Sequence, residues 1–289
     1  MNHTSRQHKF SAVFSFHNYE NMPALEDIIY SREACIAAVR DYYQFLTRMY
    51  MDESVIIEPP KEGWPSVTPD SMRGLNKTDE VISLLQHLPY IRGSGSSFEN
   101  PQAAPWCAFS DWQRDLGRVL QGGVKGETLK LCSEGASFTD EVPAHVIGLT
   151  TGGRDNADFL LDTELGVVYW IECPYEIRHN SSREPIEDDP YDYAPDNEAQ
   201  WRAESECWAI ADFFGMLKDQ FRQLSFIPIG PKSVIDIYAT LGPEDNGLVT
   251  MLQKVYREHG WPDVTRYRKT ECLAAVQAAL KEHYPHFAQ

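Results

Sequence analysis

A chain of 289 residues, 42% hydrophobic with a net charge of −17, has enough apolar side chain for a large core and is not a disordered polymer. The charge argues against nucleic acid as a partner, because affinity for a phosphate backbone comes from clustered Lys and Arg. The excess acid either keeps the protein in solution or attracts a basic protein or cationic ligand.

Taken in chain order, apolar residues from Met22 to Met51 (Ile28, Ile29, Cys35, Val39, Tyr42, Leu46, Met49) recur at three- and four-residue steps. That spacing predicts an amphipathic helix, or two in tandem. Pro59-Pro60 and Gly63-Trp64-Pro65 stop it. A second helix starts at Thr78, an N-cap followed by Asp79 and Glu80, turns Val81, Leu84, Leu85 and Leu88 inward and ends at Pro89. Gly93 to Pro105 reads as an exposed loop, pinned at its end by Trp106, Phe109 and Trp112.

Ala144–Leu149, Ala157–Leu161 and Val167–Glu172 are short apolar runs. They are joined by Thr151-Gly152-Gly153 and by Asp162 to Gly166, the spacing of an antiparallel meander. Glu172 to Glu206 holds eleven acids against three arginines, interrupted by Pro174, Pro185, Pro190 and Pro195, and reads as an acidic surface loop. A long helix then carries Trp201, Trp208, Phe214, Leu217, Phe221 and Leu224 on one face. A short strand at Phe226–Ile229 and helices at Leu248–Glu258 and Glu271–Tyr284 complete the chain. The expected architecture is α+β: an antiparallel meander packed against the helices near Tyr42 and Phe214. Residues 1–242 would form the body, with an inserted loop region at 93–139, and residues 243–289 a C-terminal helical extension packed on it.

One segment is echoed. Gly63-Trp64-Pro65-Ser66-Val67-Thr68 returns as Gly260-Trp261-Pro262-Asp263-Val264-Thr265, and each copy leads through Lys-Thr (Lys77-Thr78; Lys269-Thr270) into a helix that stops at a proline. Glycine closing a helix in the left-handed conformation, with proline blocking re-entry, makes this a stop device used twice. The functional alternative is a pseudo-symmetric pair of arms gripping a shared ligand or partner.

With these elements in order, Asp41-Tyr42-Tyr43-Gln44-Phe45-Leu46, Ile147 to Asp155, Phe159-Leu160-Leu161-Asp162, Gly166-Val167-Val168-Tyr169-Trp170 and Phe213-Phe214-Gly215-Met216-Leu217 together resemble the SUKH superfamily. Those proteins include fungal cell-wall-synthesis regulators and bacterial toxin-immunity proteins. The likeness spans Cys35 to Leu224, while the region Gly93–Thr139 and the C-terminal helices depart from it. The Gly-Trp-Pro segments, Thr78–Tyr90 and the tail from Tyr267 to Pro285 are similar to an abundant group of filamentous-fungal proteins. The resemblance implies a binding or regulatory module and brings no catalytic residues with it.

Among chemical constellations, Asp188-Asp189-Pro190-Tyr191-Asp192 looks like the magnesium motif of prenyl-transferring enzymes, but Pro190 and Pro195 argue against the helix that motif needs. Cys35, Cys107, Cys132, Cys173, Cys207 and Cys272 form no close pair, and no HExxH, GxSxG or P-loop pattern occurs. Neither metal nor cofactor is expected, so Mg²⁺ or Zn²⁺ should leave the melting temperature unchanged. Cys173 could be a nucleophile with His145 or His179, or a structural thiol. Arg154 and Asp155 read as a local ion pair. The polar segment Met1–Phe10 lacks a signal-peptide core and no apolar run could span a membrane, so a cytoplasmic setting with free thiols and no membrane partner is expected.

The favoured site is where the third strand runs into the acidic loop. Trp170, Glu172, Tyr175 and Glu176, with Asp188, Asp189 and Asp192 beyond, combine aromatic faces with carboxylates suited to a cationic side chain. Two functions stay open: a non-catalytic intracellular interaction module, or an enzyme of fungal specialised metabolism, of transferase or cyclodipeptide-forming type. A deep pocket with converging polar groups favours the enzyme and a shallow aromatic-acidic surface the module.

Overall fold

The computed structural model describes residues 23–93, 100–135, 137–152, 156–179, 181–238 and 242–289. The N-terminal segment Met1–Phe10 and the Arg154 and Asp155 pair lie outside the described residues.

The elements run α1 (Arg32–Met49), β1 (Ile56–Ile57), α2 (Asp79–His87), β2 (Tyr90–Ile91), β3 (Gln102–Ala104), β4 (Cys107–Ala108), α3 (Trp112–Leu120), α4 (Gly126–Ser133), β5 (Val146–Gly148), β6 (Phe159–Asp162) and β7 (Val167–Ile171). Then follow α5 (Tyr175–His179), α6 (Pro190–Tyr193), α7 (Asp196–Ala203), β8 (Ser205–Ala209), α8 (Ile210–Gln223), β9 (Phe226–Pro228), β10 (Val234–Asp236), α9 (Leu248–Glu258) and α10 (Lys269–His283). The architecture is α+β, as the sequence pattern requires.

The central sheet has the order β5-β6-β7-β8, every pair antiparallel, with Ile147 opposite Leu161, Phe159 opposite Trp170 and Tyr169 opposite Cys207. Because side chains alternate along a strand, Phe159, Leu161, Val168, Trp170 and Trp208 enter the main core. Val146, Leu160, Val167, Tyr169 and Cys207 enter a smaller one on the opposite face. Both faces are covered, which explains why these strands read as unbroken apolar runs. On the main face α1 and α8 close over the sheet, with Tyr42 and Phe214 rings 5.3 Å apart and Phe159 and Phe213 rings 5.0 Å apart.

The fourth strand, β8, is a correction. Trp201 and Trp208 do not share one helix: α7 ends at Ala203, the chain pairs with β7, and α8 starts only at Ile210. Two further corrections follow the same logic. The first helix begins at Arg32, where the Ser31 hydroxyl accepts the Ala34 N–H at 3.3 Å, and Ile29, counted in the helical stripe, is 89% exposed. The segment read as an exposed loop ends in β3, whose Ala103 and Ala104 are buried and whose carbonyls receive the Tyr42 and Tyr50 hydroxyls on either side. The 93–139 region holds β3, β4, α3 and α4 and sends Phe109, Trp112, Leu116 and Leu129 into the main core.

The C-terminal helices share that core through Leu248, Leu252, Tyr256, Val276 and Leu280. Tyr256 donates to Pro228 O (2.8 Å), Trp261 Nε1 to Phe221 O (2.9 Å) and Tyr267 to Met49 O (2.8 Å). In the echoed segments both glycines are left-handed, Gly63 at φ 82° and Gly260 at φ 99°. A Cβ on Gly260 would lie 2.5 Å from Arg266 O. Only Gly260 ends a helix: Gly63 closes a turn onto Pro60 O, and Thr78 caps α2 whereas Thr270 lies inside α10. The two copies therefore solve different local problems with the same residues.

The smaller core contains a buried ionic network. Asp162 is fully buried, and its Oδ1 accepts the Glu164 and Leu165 N–H groups at 2.9 Å, forming the turn into β7. Its Oδ2 lies 2.9 Å from Arg202 Nη1 and 3.6 Å from His145 Nε2. Arg202 also donates to the Tyr169 hydroxyl (2.8 Å) and to Glu198 (2.9 Å) and lies over the Trp201 ring at 4.7 Å. A second buried pair, Lys77 Nζ to Glu134 Oε1 at 2.8 Å, ties the entry of α2 to the end of α4.

Candidate functional site

β6 and β7 run antiparallel, so the start of one and the end of the other meet at the same edge of the sheet. There the Ile171 N–H donates to Asp158 O at 3.0 Å, which sets Asp158 beside the end of β7. The chain leaves β7 through Glu172, whose φ of 53° is left-handed. A non-glycine residue there costs roughly 1–2 kcal/mol.

This edge opens into a cleft of about 920 Å³. Trp106, Asp158, Trp170, Glu172, Asp236 and Tyr238 supply its aromatic and acidic wall, and Pro174 and Ile177 part of its apolar one. Among the described lining residues there are three carboxylates and no Lys, Arg or His. Trp106, 47% exposed, is also left-handed at φ 58°, so two of the four non-glycine residues in that conformation among the described residues stand on this cleft. Burial, and then the neighbouring Glu172 charge, push the Asp158 carboxyl up to about 6. β10 brings Asp236, which accepts the Tyr238 N–H (2.8 Å), while the Tyr238 hydroxyl donates to Gln220 (3.0 Å) and so holds that ring.

The structure thus brings together two of the residues picked from sequence, Trp170 and Glu172, and sets the others apart. Trp170 is core as well as wall: it is 5% exposed, with its ring edge-on to Phe159 at 4.9 Å. Tyr175 and Glu176 follow at once on α5 but are exposed, Tyr175 stacked on His179 at 3.8 Å. Asp192 lies in α6, Asp189 caps it and Asp188 precedes the cap; the Tyr193 hydroxyl of α6 lies 3.1 Å from that of Tyr169 on the opposite face of the sheet. The reading that the prolines argue against a helix here is corrected by a single four-residue turn, in which Pro190 occupies the first helical position, where no donor is missed. Asp189 accepts the Tyr191 N–H and Asp188 the Leu25 N–H, both at 3.0 Å, so two of these carboxylates hold backbone.

A nucleophilic Cys173 finds no partner in the named histidines. Its Sγ contacts Pro174 O, burial pushes the thiol up, His145 faces Asp162 and Glu164, and His179 Nδ1 meets Tyr175 O. Among the described residues, no group of three or more His, Cys, Asp or Glu side chains is arranged to hold a metal ion. None of the described helices is long and apolar enough to cross a membrane. All six cysteines are free thiols.

Sequence reasoning missed Trp106, Asp158, Asp236 and Tyr238. Asp158 had one signal, an acid directly before the apolar run Phe159-Leu160-Leu161, where a buried face needs none. No family model matches the chain, and no curated protein or solved structure shows significant similarity to it.

Proposed function

We propose that the protein is a non-catalytic binding module that grips a cationic group, such as a lysine side chain of a basic partner protein, in the cleft at the end of β7. One observation carries this reading: the Trp106, Trp170 and Tyr238 rings and the Asp158 and Glu172 carboxylates line one cavity. A desolvated ammonium over an aromatic face gains about 2 kcal/mol, and nearby carboxylates add charge pairing. The order helix, antiparallel meander, helix supports the SUKH resemblance and its implied role, and the free thiols support a reducing, cytoplasmic setting.

Hexalysine peptide, titrated while following the intrinsic tryptophan fluorescence, to which Trp106 and Trp170 of the cleft contribute, tests the reading. Binding should weaken with salt, and Asp158→Asn/Glu172→Gln should lower affinity at least about tenfold, roughly 1.4 kcal/mol. Replacing Asp188, Asp189 and Asp192 by Asn should change mainly the on-rate, as expected for charges outside the cleft. Equal affinity of the folded double variant and the wild type would refute the site.

The raised carboxyl of Asp158 favours a second reading, an enzyme in which this group moves a proton. Incubation with small-molecule extract of the source cell, read by mass spectrometry, separates the two. Turnover lost in Asp158→Asn supports the enzyme; an unchanged extract supports the module.

A further inference from the structure

A second cleft, of about 860 Å³, is lined by three arginines, Arg92, Arg114 and Arg118, and by two carboxylates, Glu58 and Asp111. Its wall is one face of α3: Gln113, Arg114, Gly117, Arg118 and Gln121 recur at helical spacing, while Trp112 and Leu116 on the other face are buried. Arg92, just after β2, and Trp64 stand across from them. Gly117 leaves the floor open, since a Cβ there would meet only Ser66 Cβ, at 3.8 Å.

The acids around this cleft are already engaged. Asp111 accepts the Arg114 N–H and the Gly93 N–H, both at 3.2 Å, which fixes the start of α3. Glu58 receives Arg40, and Asp115 lies 3.6 Å from Arg118. Among the described residues neither Arg92 nor Arg114 has a carboxylate within 4.0 Å, although Arg114 is half-buried. Asp111 feels the charge of both guanidiniums and Asp115 that of Arg114, but neither carboxylate forms a close forked pair with them, and that geometry is left for an incoming anion. The concentration of arginine runs against a net charge of −17, so it does not follow from composition.

We infer that this cleft binds a phosphate-bearing small molecule, with Arg92 and Arg114 as the forked donors, Arg118 adding charge, and Gln113 and Gln121 supplying amide donors. Trp64 contributes surface and no donor, because its Nε1 is committed to Leu88 O at 2.8 Å. The volume takes more than a bare inorganic ion, so the phosphate is carried on a larger group.

Isothermal titration with pyrophosphate, ATP and citrate tests this on the full chain. Pyrophosphate and ATP should bind in a salt-dependent manner, and Arg92→Gln/Arg114→Gln should weaken both at least about tenfold while the melting temperature stays near that of the wild type. If the double variant does not fold, Arg114→Lys takes its place: it keeps the charge, loses the fork, and should weaken binding about tenfold. ATP binding tighter than pyrophosphate shows that the larger group is also held. No heat with either phosphate compound, undiminished binding in the variants, or citrate binding as tightly as pyrophosphate each overturns the assignment.

Discussion

Replacing Arg202 with methionine is expected to destabilise the fold by about 3–5 kcal/mol, the usual cost of leaving a buried charge without its partner. The charge left behind is Asp162, fully buried with Arg202 Nη1 2.9 Å from its Oδ2. The Glu164 and Leu165 N–H groups would remain on Oδ1, but they do not neutralise the carboxylate. The same substitution removes the donor to the Tyr169 hydroxyl and the cation over Trp201. Urea unfolding measures it through the midpoint, and adding Asp162→Asn should recover part of the loss. A cost below about 1 kcal/mol for the single variant would mean that water reaches this network.

The network also sets a pH window. Burial works to raise Asp162, but the His145 imidazole 3.6 Å away, Arg202 and the Leu165 N–H hold it below the usual range. Its contribution is therefore present above about pH 3.9 and lost as pH falls through the lower folded value. Burial works to lower His145, yet the close approach to Asp162 and the charges of Asp162 and Glu164 leave it raised. That contribution is complete below about pH 6.5 and is lost as pH rises through the folded value. Asp162→Asn should remove the acid slope and weaken the His145 slope, leaving the part that Glu164 contributes.

The second large effect is expected at Lys77→Met, again about 3–5 kcal/mol, since Glu134 would stay buried without its cation. Both side chains are fully withdrawn from solvent. Burial pushes Glu134 up to about 7 against the pull of Lys77, and burial pushes Lys77 down. A carboxyl raised on folding stabilises below its unfolded value, about pH 4.3, and that contribution is lost as pH rises through the folded value, about 7. The variant should therefore be more stable at pH 5 than at pH 8, a slope that a change of side-chain volume alone does not produce. Lys77→Met/Glu134→Leu should reduce the slope to that of the wild-type His145 network and regain most of the loss. A variant equally stable at both pH values would show that Glu134 finds another cation.

What could be read from sequence is what short stretches of chain dictate by themselves. Thr78 before Asp79 and Glu80 caps a helix wherever that helix packs, and turns at Thr151-Gly152 and Asp162–Gly166 fold adjacent apolar runs into a meander. Trp170 and Glu172 were visible because both lie where one strand runs out. β8 was hidden, because Trp201, Trp208 and Leu217 keep a spacing that a helix also satisfies, and only hydrogen bonding to β7 decides for a strand. The acidic motif at Asp188–Asp192 looked like a ligand set, yet its meaning came from the Leu25 and Tyr191 N–H groups that reach it.

Sequence by itself determined the α+β class, the meander and the ends of α2 and α9, since local periodicity, capping and turn chemistry act over a few residues. Only the tertiary structure decided the two clefts. Trp106, Asp158, Glu172 and Asp236 come from separate segments, as do Arg92 and Arg114. Their charges acquire a common field, and Asp158 its raised pKa, once packing withdraws them from water and sets them side by side.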